Sequence, residues 1–578
     1  MPTRPELVGD LGMVASTHWI ASAVGMGVLE RGGNAADAAV AAGFALQVVE
    51  PHLNGPGGDL PLLLWDPTRA EVRVVCGQGV APASATVQAL RDRGVETVPG
   101  TGLLAAVVPG AFGAWLTLLA GWGTWTVADV LEPAIALAAG GHPLLPTAAA
   151  TINASAERFR RDWPTSADLW LTAGRERAAG ERIRNPVLAR TYERIIAESA
   201  AAGPDREAQI EAARRAWYEG FVAVAVDRFS TEQGGLLTGQ DLAGWSATVE
   251  DPVLGGYAGI TVAKTGPWGQ GPVLLQQLAL LEAAGLGEHE PGSAGWIHLI
   301  TEAAKLAFAD RDAWYGDPTV TDVPLSTLLS AAYATERAAL IGGDASPELR
   351  PGSPDGRVPV LPPYWTEGAG SGPEAGGGEP TLNPPRGDTC HLDVVDANGM
   401  MISATPSGGW LQSSPTIPEL GFCLGSRAQM FALVDGLPNT LRPGARPRTT
   451  LSPSLALREG EPWLAFGTPG GDSQDQWSLH VLLNLLHSGD NLQQAIDRPS
   501  FDTAAMIDSF HPHGFRPANL RLEGRHARAV RDDLADRGHR LEVTADWSLG
   551  RVSAVAREDG WLKAGANARG HQGYAVGR

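Results

Sequence analysis

The sequence contains little cysteine. Its three cysteines, Cys76, Cys390 and Cys423, are an odd number and lack the spacing of a metal-binding motif. Proteins that depend on disulfides for stability carry many paired cysteines and fold in oxidising compartments. The cysteine content therefore excludes a disulfide framework and indicates a reducing compartment.

Positive charge is also scarce. Lysine and arginine together number 44 against 64 aspartates and glutamates, so the formal net charge is −20. A surface of this sign repels nucleic acid and anionic membranes, and no Lys/Arg-rich run overrides the effect. We therefore expect neither nucleic acid nor a membrane among the partners.

Long apolar runs and a leader pattern are missing as well. No uninterrupted apolar segment is long enough to span a bilayer. The N-terminal stretch MPTRPELVGD lacks the charged and then apolar order of a secretory signal. These features predict a cytoplasmic protein.

A segment without regular periodicity divides the chain. Residues 345–388 contain Pro351-Gly352-Ser353-Pro354, Gly376-Gly377-Gly378 and Pro384-Pro385, and they show neither helical nor strand periodicity. We interpret the segment as a flexible processing linker. It ends a large region, 1–388, that precedes a smaller region, 389–578; a chain of 578 residues has room for several domains or for one large layered unit.

The linker ends at a β-hairpin pattern whose first residue is Thr389. Apolar residues at 390, 392 and 394 alternate with polar residues at 391 and 393. Asp396-Ala397-Asn398-Gly399 supplies turn residues, and 400–405 has the pattern of a return strand. The alternation directs Cys390 toward the core, on the face opposite Thr389.

Thr389 has two interpretations. A threonine hydroxyl becomes an effective nucleophile when a base lies beside it, and the α-amino group of an N-terminal threonine, with a pKa of about 8, can be that base. Cleavage between Asp388 and Thr389 would produce both groups at once. Alternatively, Thr389 only opens a strand after a loop, or Cys390 is the nucleophile after cleavage one residue later.

The rest of the chain shows a mixture of helices and strands. Asn34 and Asp37 form a capping signal for a helix over 35–49, residues 109–210 are mostly helical, and amphipathic spacing predicts a packing helix over 296–310. The glycine-rich loop 51–59 lacks the Gly-Lys-Ser/Thr ending of a phosphate cradle. Strands are predicted at Glu71–Cys76, within 251–265, at Ser454–Leu457 and at Pro462–Gly467.

Gly470 and Gly471 lie where the strand ending at Gly467 passes into a helical pattern. Backbone N–H groups at the start of a helix lack partners within the helix and are suited to hold an oxyanion. Glycine is also ordinary at any such turn. The pair is a candidate oxyanion hole whose assignment needs other residues of the chain.

Five further motifs occur along the chain: Gly32-Gly33-Asn34-Ala35-Ala36-Asp37-Ala38-Ala39-Val40, Trp217-Tyr218-Glu219-Gly220, Gly234-Gly235-Leu236-Leu237, Tyr315-Gly316-Asp317-Pro318 and Gly565-Ala566-Asn567-Ala568-Arg569-Gly570. In this order, and with the Thr389 stretch, they resemble the γ-glutamyltranspeptidase family of N-terminal-nucleophile hydrolases over nearly the whole chain. The resemblance implies an α+β fold, a four-layer αββα sandwich built from both regions.

The resemblance also implies roles for single residues. The precursor would cut itself between Asp388 and Thr389, and Thr389 would be the nucleophile. Gly470 and Gly471 would form the oxyanion hole. The remaining matches are hydroxyl residues: Ser407, which would bind the new amine, Thr405 two residues before it, and the pair Thr449 and Thr450, which would orient the nucleophile and contact the substrate.

Three positions that bind a glutamyl head group in the family differ here. The arginine that holds the α-carboxylate is replaced by Gln78, a substrate-binding asparagine by Gly409, and the aspartate that holds the ammonium aligns approximately with Met430. If each lost charged contact costs about 1.5–3 kcal/mol, two of them weaken a γ-glutamyl substrate by roughly two to four decades. This loss favours a changed acyl specificity.

Other residues could compensate for these departures. Arg427 and Arg73 are candidates to rebuild a carboxylate site, and Trp410 is a candidate wall of a more apolar pocket. Each is also compatible with an ordinary core or surface role.

We expect a self-processing amide hydrolase or acyltransferase that passes an acyl group from Thr389 to water or an amine. The alternatives are an acylase with non-glutamyl specificity and, outside enzymes, a non-catalytic scaffold that stays uncleaved. Because His391, His480 and His487 lack metal-ligand spacing, we expect no metal, and we expect no organic cofactor. The expected partners are a small amide substrate, an acceptor, and the second fragment of the same chain.

Overall fold

The computed structural model describes residues 2–367 and 389–578. Asp388, one side of the expected cleavage site, lies outside the described residues. Among the helices of these two ranges, none combines the length and apolar character needed to cross a bilayer.

The strands of the described ranges, in chain order, are β1 (Leu7–Gly9), β2 (Gly12–Ser16), β3 (Leu60–Asp66), β4 (Glu71–Gly77), β5 (His142–Pro143), β6 (Arg182–Ile183), β7 (Thr248–Glu250), β8 (Val253–Tyr257), β9 (Ile260–Lys264), β10 (Trp365–Thr366), β11 (Leu392–Asp396), β12 (Met401–Ala404), β13 (Ser454–Arg458), β14 (Glu461–Gly467), β15 (Phe501–Asp502), β16 (Gly514–Phe515), β17 (Asn519–Glu523), β18 (Arg540–Thr544), β19 (Ser553–Glu558), β20 (Trp561–Ala566) and β21 (Tyr574–Gly577).

The α-helices are α1 (Trp19–Glu30), α2 (Ala35–Val49), α3 (Val87–Arg91), α4 (Ala111–Trp122), α5 (Val127–Gly140), α6 (Pro146–Arg161), α7 (Pro164–Trp170), α8 (Pro186–Ala200), α9 (Arg206–Tyr218), α10 (Phe221–Glu232), α11 (Gly239–Ala243), α12 (Gly271–Ala283), α13 (Ala294–Trp314), α14 (Leu325–Leu328), α15 (Ala331–Ala338), α16 (Gln474–His487), α17 (Leu492–Asp497) and α18 (Arg528–Asp536).

Two seven-stranded sheets form the centre of the molecule. The first sheet has the order β21-β2-β11-β12-β3-β4-β7, and the second has the order β1-β20-β19-β14-β13-β9-β8. All pairings within both sheets are antiparallel. Smaller sheets, β15-β17-β18, β10-β16 and β5-β6, lie outside this pair.

Three apolar cores separate four layers. One core joins the first sheet to α1, α2 and α4, another joins the second sheet to α12, α13 and α16, and a third lies between the sheets. Strand alternation explains the division: Leu392 and Val394 of β11 belong to the helix-facing core, whereas Val395 belongs to the core between the sheets. The expected four-layer αββα sandwich is confirmed.

The hairpin that follows Thr389 lies inside the first sheet. Leu392 pairs with Ala404 and Val395 with Met401, while β11 pairs on its other side with β2. Asp396 stabilises the turn, because its Oδ1 accepts from Asn398 N at 2.9 Å, and its Oδ2 accepts from Ala35 N, at the start of α2, at 2.8 Å. The predicted hairpin is confirmed, although β11 itself begins at Leu392, three residues after Thr389.

Helix α2 begins and ends where its sequence predicts. Asp37 N donates to Asn34 Oδ1 at 3.0 Å, and Asn34 N donates to Asp37 Oδ2 at 3.1 Å, which closes a capping box. Thr124 N and Trp125 N also donate to Asp37 Oδ1, at 2.8 and 3.0 Å. The same carboxylate therefore caps α2 and fixes the turn that follows α4.

Helix α13 differs from its predicted amphipathic pattern. It runs from Ala294 to Trp314, and almost all of its residues are buried. The charged residues within it are satisfied by partners inside the protein, such as Asp472 for Arg311. A hydrophobic stripe identifies the helix correctly, but it does not reveal that ion pairs cover the opposite face.

Replacing Asp37, itself fully buried, by alanine should lower the free energy of unfolding by about 3 kcal/mol, because four partly buried hydrogen bonds lose their acceptor. Asp129 is a matched control, since it closes the same capping box with Thr126 but is exposed. Asp129→Ala should cost about 1 kcal/mol. Urea unfolding midpoints of the two variants test this difference, and equal shifts would contradict it.

Candidate active site

Thr389 lies at the entrance to the hairpin and is buried. It forms an isolated antiparallel bridge with Ser407, and its Oγ1 lies 3.2 Å from Ser407 Oγ. Cys390 N donates to Pro406 O at 3.0 Å, so the pairing of the hairpin continues from β11 and β12 to Thr389. The structure thus brings together the predicted nucleophile and the predicted amine-binding hydroxyl.

A row of cross-strand polar pairs continues inward from Thr389. His391 Nδ1 lies 2.9 Å from Thr405 Oγ1, and His391 Nε2 lies 3.0 Å from Asp393 Oδ1. Asp393 pairs across the hairpin with Ser403. We call this row the polar ladder; its members are Thr389, His391, Asp393, Ser403, Thr405 and Ser407. All six side chains are buried.

The polar ladder faces the second sheet. Ser403 Oγ donates to Phe466 O at 3.2 Å, and the ring of His391 packs so closely on Gly467 that a Cβ there would lie 2.3 Å from it. Burial raises the pKa of the Asp393 carboxyl, and the neighbouring His391 opposes that shift. A chain of hydroxyl, imidazole and carboxylate therefore runs into the interior between the sheets.

Cys390 lies on the opposite face, as strand alternation predicts. Its Sγ donates to Glu50 Oε2 at 3.1 Å, and the thiol is fully buried. Burial raises the pKa of Glu50, which also accepts a hydrogen bond from Thr17. The prediction of a buried thiol at Cys390 is confirmed.

Gly409 lies against the glycine-rich loop that precedes β3. Asp59 N donates to Ser407 O at 2.8 Å, and Ser407 N donates to Asp59 O at 3.0 Å. Gly409 has φ +64°, and a Cβ at this position would lie 2.7 Å from Gly58 N. Because backbone fills the space, this conformation has no room for the asparagine that the family resemblance places here.

Asp59 and Arg427 form a buried ion pair under this loop. Arg427 Nε lies 2.9 Å from Asp59 Oδ2, and its Nη2 donates to Oδ1 at 2.9 Å. Burial raises the pKa of Asp59, against the opposing effects of Arg427 and of a hydrogen bond from Gln78. Arg427 is therefore already engaged by a carboxylate of the protein, and Gln78 lies beside that pair.

Arg73 and Trp410 have different environments. Arg73 Nη1 donates to Asp251 Oδ1 at 2.5 Å, so its charge is compensated there. Trp410 packs in a small apolar cluster with Met430 and Phe510, and its Nε1 donates to Leu53 O at 2.9 Å. The contacts therefore support Trp410 as an apolar wall better than they support Arg73 as part of a rebuilt carboxylate site.

A cavity of about 250 Å³ opens beside Met430. Its walls are mainly apolar, but Arg448 and Asp312 also line it, and Arg448 Nη2 lies 3.8 Å from Asp312 Oδ1. Burial lowers the pKa of Arg448 to about 10, with Arg311 adding to the effect. The guanidinium is still charged at neutral pH.

Thr449 and Thr450 follow Arg448 directly. Thr449 N donates to Trp268 O at 2.9 Å, and Leu451 N donates to Thr449 Oγ1 at 3.3 Å. Thr450 Oγ1 is buried and has no hydrogen-bond partner among the described residues. Since buried hydroxyls are normally satisfied, the Thr450 hydroxyl is suited to receive a group from a ligand.

Gly470 and Gly471 form the strand-to-helix turn that the sequence predicts. Their φ angles are +131° and +53°, and a Cβ on Gly470 would lie 2.3 Å from the Trp477 ring. One 3₁₀ turn, Gly471–Ser473, precedes α16. Gly467, which lies over His391, precedes the glycine pair by three residues along the chain.

Asp472 anchors this turn. Its carboxylate accepts from Arg311, and from Ser509 N and Oγ at 2.8 and 2.6 Å. Burial alone would raise the pKa of Asp472, but Arg311 and Arg448 outweigh burial and the pKa is lowered. The glycine pair is thereby held between a fixed carboxylate and the Trp477 ring.

The structure also assembles three potential metal ligands that the sequence does not single out. Atoms of His298, Glu302 and His539 lie within 4.8 Å of one another. However, Lys305 and Arg350 both bind Glu302, and burial lowers the pKa of His539 to about 3. A dication would meet two cations here, so we interpret the group as a hydrogen-bonded structural cluster.

The four-layer sandwich, with a buried threonine at the entrance to a central hairpin, defines an N-terminal-nucleophile hydrolase fold. The family model for gamma-glutamyltranspeptidase matches residues 21–577. The chain therefore belongs to the gamma-glutamyltranspeptidase family, as its motifs predict.

Known relatives support this assignment and include more than one activity. The chain is 32% identical over 580 residues to the glutathione hydrolase-like YwrD proenzyme of Bacillus subtilis (strain 168), and the match covers 99% of each chain. A solved structure of LmbA2991 is 52% identical, covers 100% of both chains and has a TM-score of 0.93. The cephalosporin acylase from Bacillus halodurans is 28% identical, covers 99% of this chain and 97% of its own, and has a TM-score of 0.84.

Introducing the family's asparagine, Gly409→Asn, should destabilise the protein by about 2 kcal/mol or more, because the side chain meets the backbone of Gly58. Gly436→Asn is the matched control: it also has positive φ, +88°, but nothing lies within 4 Å of its Cβ position. Thermal unfolding of both variants measures the difference. A Gly409→Asn protein as stable as the control would contradict the proposed contact.

Proposed function

We propose that Thr389 is the nucleophile of a self-processing amide hydrolase or acyltransferase. The observation that carries the proposal is the position of Thr389 at the head of the polar ladder, with its hydroxyl 3.2 Å from Ser407 Oγ. Membership in the gamma-glutamyltranspeptidase family and the proenzyme names of relatives support it. Cleavage between Asp388 and Thr389 would give the threonine a free α-amine.

The proposed reaction uses both new groups. The α-amine takes the proton of Thr389 Oγ, which attacks the carbonyl carbon of the substrate amide. The N–H groups of Gly470 and Gly471 stabilise the oxyanion, the amine leaves with a proton, and an acyl-enzyme ester remains. Water or an acceptor amine then releases the acyl group. Ser407 holds the α-amine, and Thr405, Thr449 and Thr450 orient the reacting groups.

We further propose that residues 1–388 and 389–578 remain together as two fragments of one folded unit. The sheet orders support this, because both regions contribute strands to each sheet. In the first sheet, β11 and β12 from the smaller region lie between β2 and β3 from the larger region. Separation would break antiparallel pairing on both sides of this hairpin.

A second candidate function, an acylase with non-glutamyl specificity, is favoured by the surroundings of Ser407. Gly409 leaves no room for a polar side chain, and Trp410 packs on Met430 and Phe510. The Arg427 guanidinium also lies over the Trp410 ring, but its charge is balanced by Asp59. Gln78 is a neutral amide beside the engaged Asp59–Arg427 pair. These contacts suit an acyl group with an apolar portion better than an amino-acid head group.

Thr389→Ala should abolish both chain cleavage and amide hydrolysis, since it removes the attacking oxygen. Denaturing gels, N-terminal sequencing of the smaller fragment and anilide hydrolysis measure the two losses. Cys390→Ala is the control for the rival nucleophile and should still yield a fragment that begins at Thr389. Retained activity in Thr389→Ala, or a fragment that begins at residue 390, would refute the assignment.

Acyl specificity is tested with matched anilides. The cleaved wild-type protein should hydrolyse a simple acyl anilide with a kcat/KM about two decades above that of the γ-glutamyl anilide, because two charged contacts are missing. Met430→Ala should lower only the simple acyl reaction, whereas Val434→Ala, at a more exposed part of the same cavity, should change neither. A preference for γ-glutamyl anilide that Gln78→Ala and Met430→Ala leave intact would overturn this candidate.

A further inference from the structure

We propose that the His391–Asp393 pair accepts the Thr389 hydroxyl proton during self-cleavage, before the α-amine exists. The inference rests on the proposed function, because it concerns the step that creates the nucleophile. It assigns the pair to maturation rather than to turnover.

The uncleaved chain lacks the base of the mature enzyme. Before cleavage the nitrogen of Thr389 belongs to a peptide bond, and its lone pair is delocalised into the carbonyl. It cannot take the hydroxyl proton as a free amine does. Another group must therefore accept the proton when Thr389 Oγ first attacks.

The polar ladder supplies such a group on the correct face. Ser407 Oγ lies 3.2 Å from Thr389 Oγ1, and Thr405 Oγ1 lies 2.9 Å from His391 Nδ1. Ser407 and Thr405 are two residues apart, so their hydroxyls project from the same face of the strand. No hydrogen bond joins these two hydroxyls among the described residues, so the connection from Thr389 to the imidazole requires one water molecule between Ser407 and Thr405.

Glu50 and Asp59 are also buried acids near this point. The Asp59 carboxylate binds Arg427, and the two hydrogen bonds between Asp59 and Ser407 are backbone ones. Glu50 is on the wrong face. It binds the thiol of Cys390, whose side chain points to the helix layer, whereas the Thr389 hydroxyl points to the second sheet. The strand backbone separates Glu50 from the attacking oxygen. His391 is therefore the better placed acceptor.

Asp393 makes His391 suitable for this role. When Nε2–H donates to Asp393 Oδ1 at 3.0 Å, Nδ1 is left as the acceptor that faces Thr405. A proton that arrives at Nδ1 produces an imidazolium beside a carboxylate, so the buried pair changes from one negative charge to neutral overall. The arrangement has the order of groups found in hydroxyl–imidazole–carboxylate triads, although the hydroxyl bound to His391 is Thr405 rather than the nucleophile.

The proposed step balances as an N-to-O acyl shift. The Thr389 Oγ–H bond breaks, Oγ bonds to the carbonyl carbon of residue 388, and the proton passes through the Ser407 hydroxyl, a bridging water molecule and the Thr405 hydroxyl to His391 Nδ1. The same proton returns to the Thr389 nitrogen as the C–N bond breaks, which leaves an ester. Water then hydrolyses the ester to a carboxylic acid at residue 388 and a free Thr389 with its amine. His391 and Asp393 act through other groups and are positioning residues.

The test separates maturation from turnover in the full-length chain. Asp393→Asn preserves shape but removes the charge that balances the imidazolium. It should slow the appearance of the Thr389 fragment at least about 100-fold, while the kcat of protein that has matured stays within about threefold of wild type. Thr405→Val should slow maturation similarly because it interrupts the hydroxyl path.

Hydroxylamine identifies the affected step, since it cleaves an ester but not a peptide bond. Added to Asp393→Asn, it should not restore fast cleavage, because the ester itself forms slowly. If Asp393→Asn never cleaves, a folded Asp393→Asn chain that hydroxylamine also fails to cleave supports the inference equally. Fast cleavage with hydroxylamine would place the defect after ester formation and overturn the inference.

Asp396→Asn is the matched control, because Asp396 is buried on the same strand but its carboxylate binds backbone N–H groups of the turn and of α2. It should mature much faster than Asp393→Asn at a similar melting temperature. Equal slowing in both variants, wild-type maturation in Asp393→Asn, or a kcat that falls as far as the maturation rate would each overturn the inference. A wild-type chain that never cleaves at Thr389 would instead refute the proposed function.

Discussion

The burial of β11 on both faces is the constraint on which the site depends. β11 lies between β2 and β12, with helices over one face and the second sheet over the other. Alternation then fixes the direction of every side chain near Thr389 without any further contact. Leu392 and Val394 fill the helix-facing core, which leaves the polar residues at 389, 391 and 393 to point between the sheets.

Burying polar residues in this position requires partners, and the return strand provides them. Thr405 and Ser407 bind His391 and Thr389, and Ser403 lies opposite Asp393. Buried hydroxyl and imidazole groups without partners would each destabilise the fold by about 1–3 kcal/mol. The same pairing that prevents this loss creates the connected row of groups, so stability and chemistry have a common origin in the register of one hairpin.

Much of this arrangement is predictable from local sequence. Helix α2, the hairpin after Thr389 and the turn at Gly470 and Gly471 each have a complete signal within a few residues, and each forms where expected. The buried pair Asp59–Arg427 and the cluster around His298 are different, because their members are far apart in the chain. Nothing in the local pattern of Asp59 indicates which cation will meet it.

The substitutions at the head-group positions are also clearer in three dimensions. From sequence alone, Gly409 is a missing polar contact, whereas in the structure its lack of a side chain lets the Gly57–Gly58 backbone approach closely. The backbone of this loop occupies the space that a side chain would need. Replacing Gly409 by the family's asparagine therefore changes the packing of this loop before it changes substrate recognition.

Because strands of the two regions are interleaved, it matters whether the chain folds before or after it is cleaved. While the polypeptide is continuous, folding is unimolecular, and the ends of β2, β11 and β21 meet at an effective concentration set by chain length. After cleavage at Thr389, as proposed, unfolded fragments could reassemble only by a bimolecular encounter that depends on protein concentration. Cutting after folding thus makes unfolding practically irreversible, and the durability of the mature protein is then governed by the rate at which it unfolds.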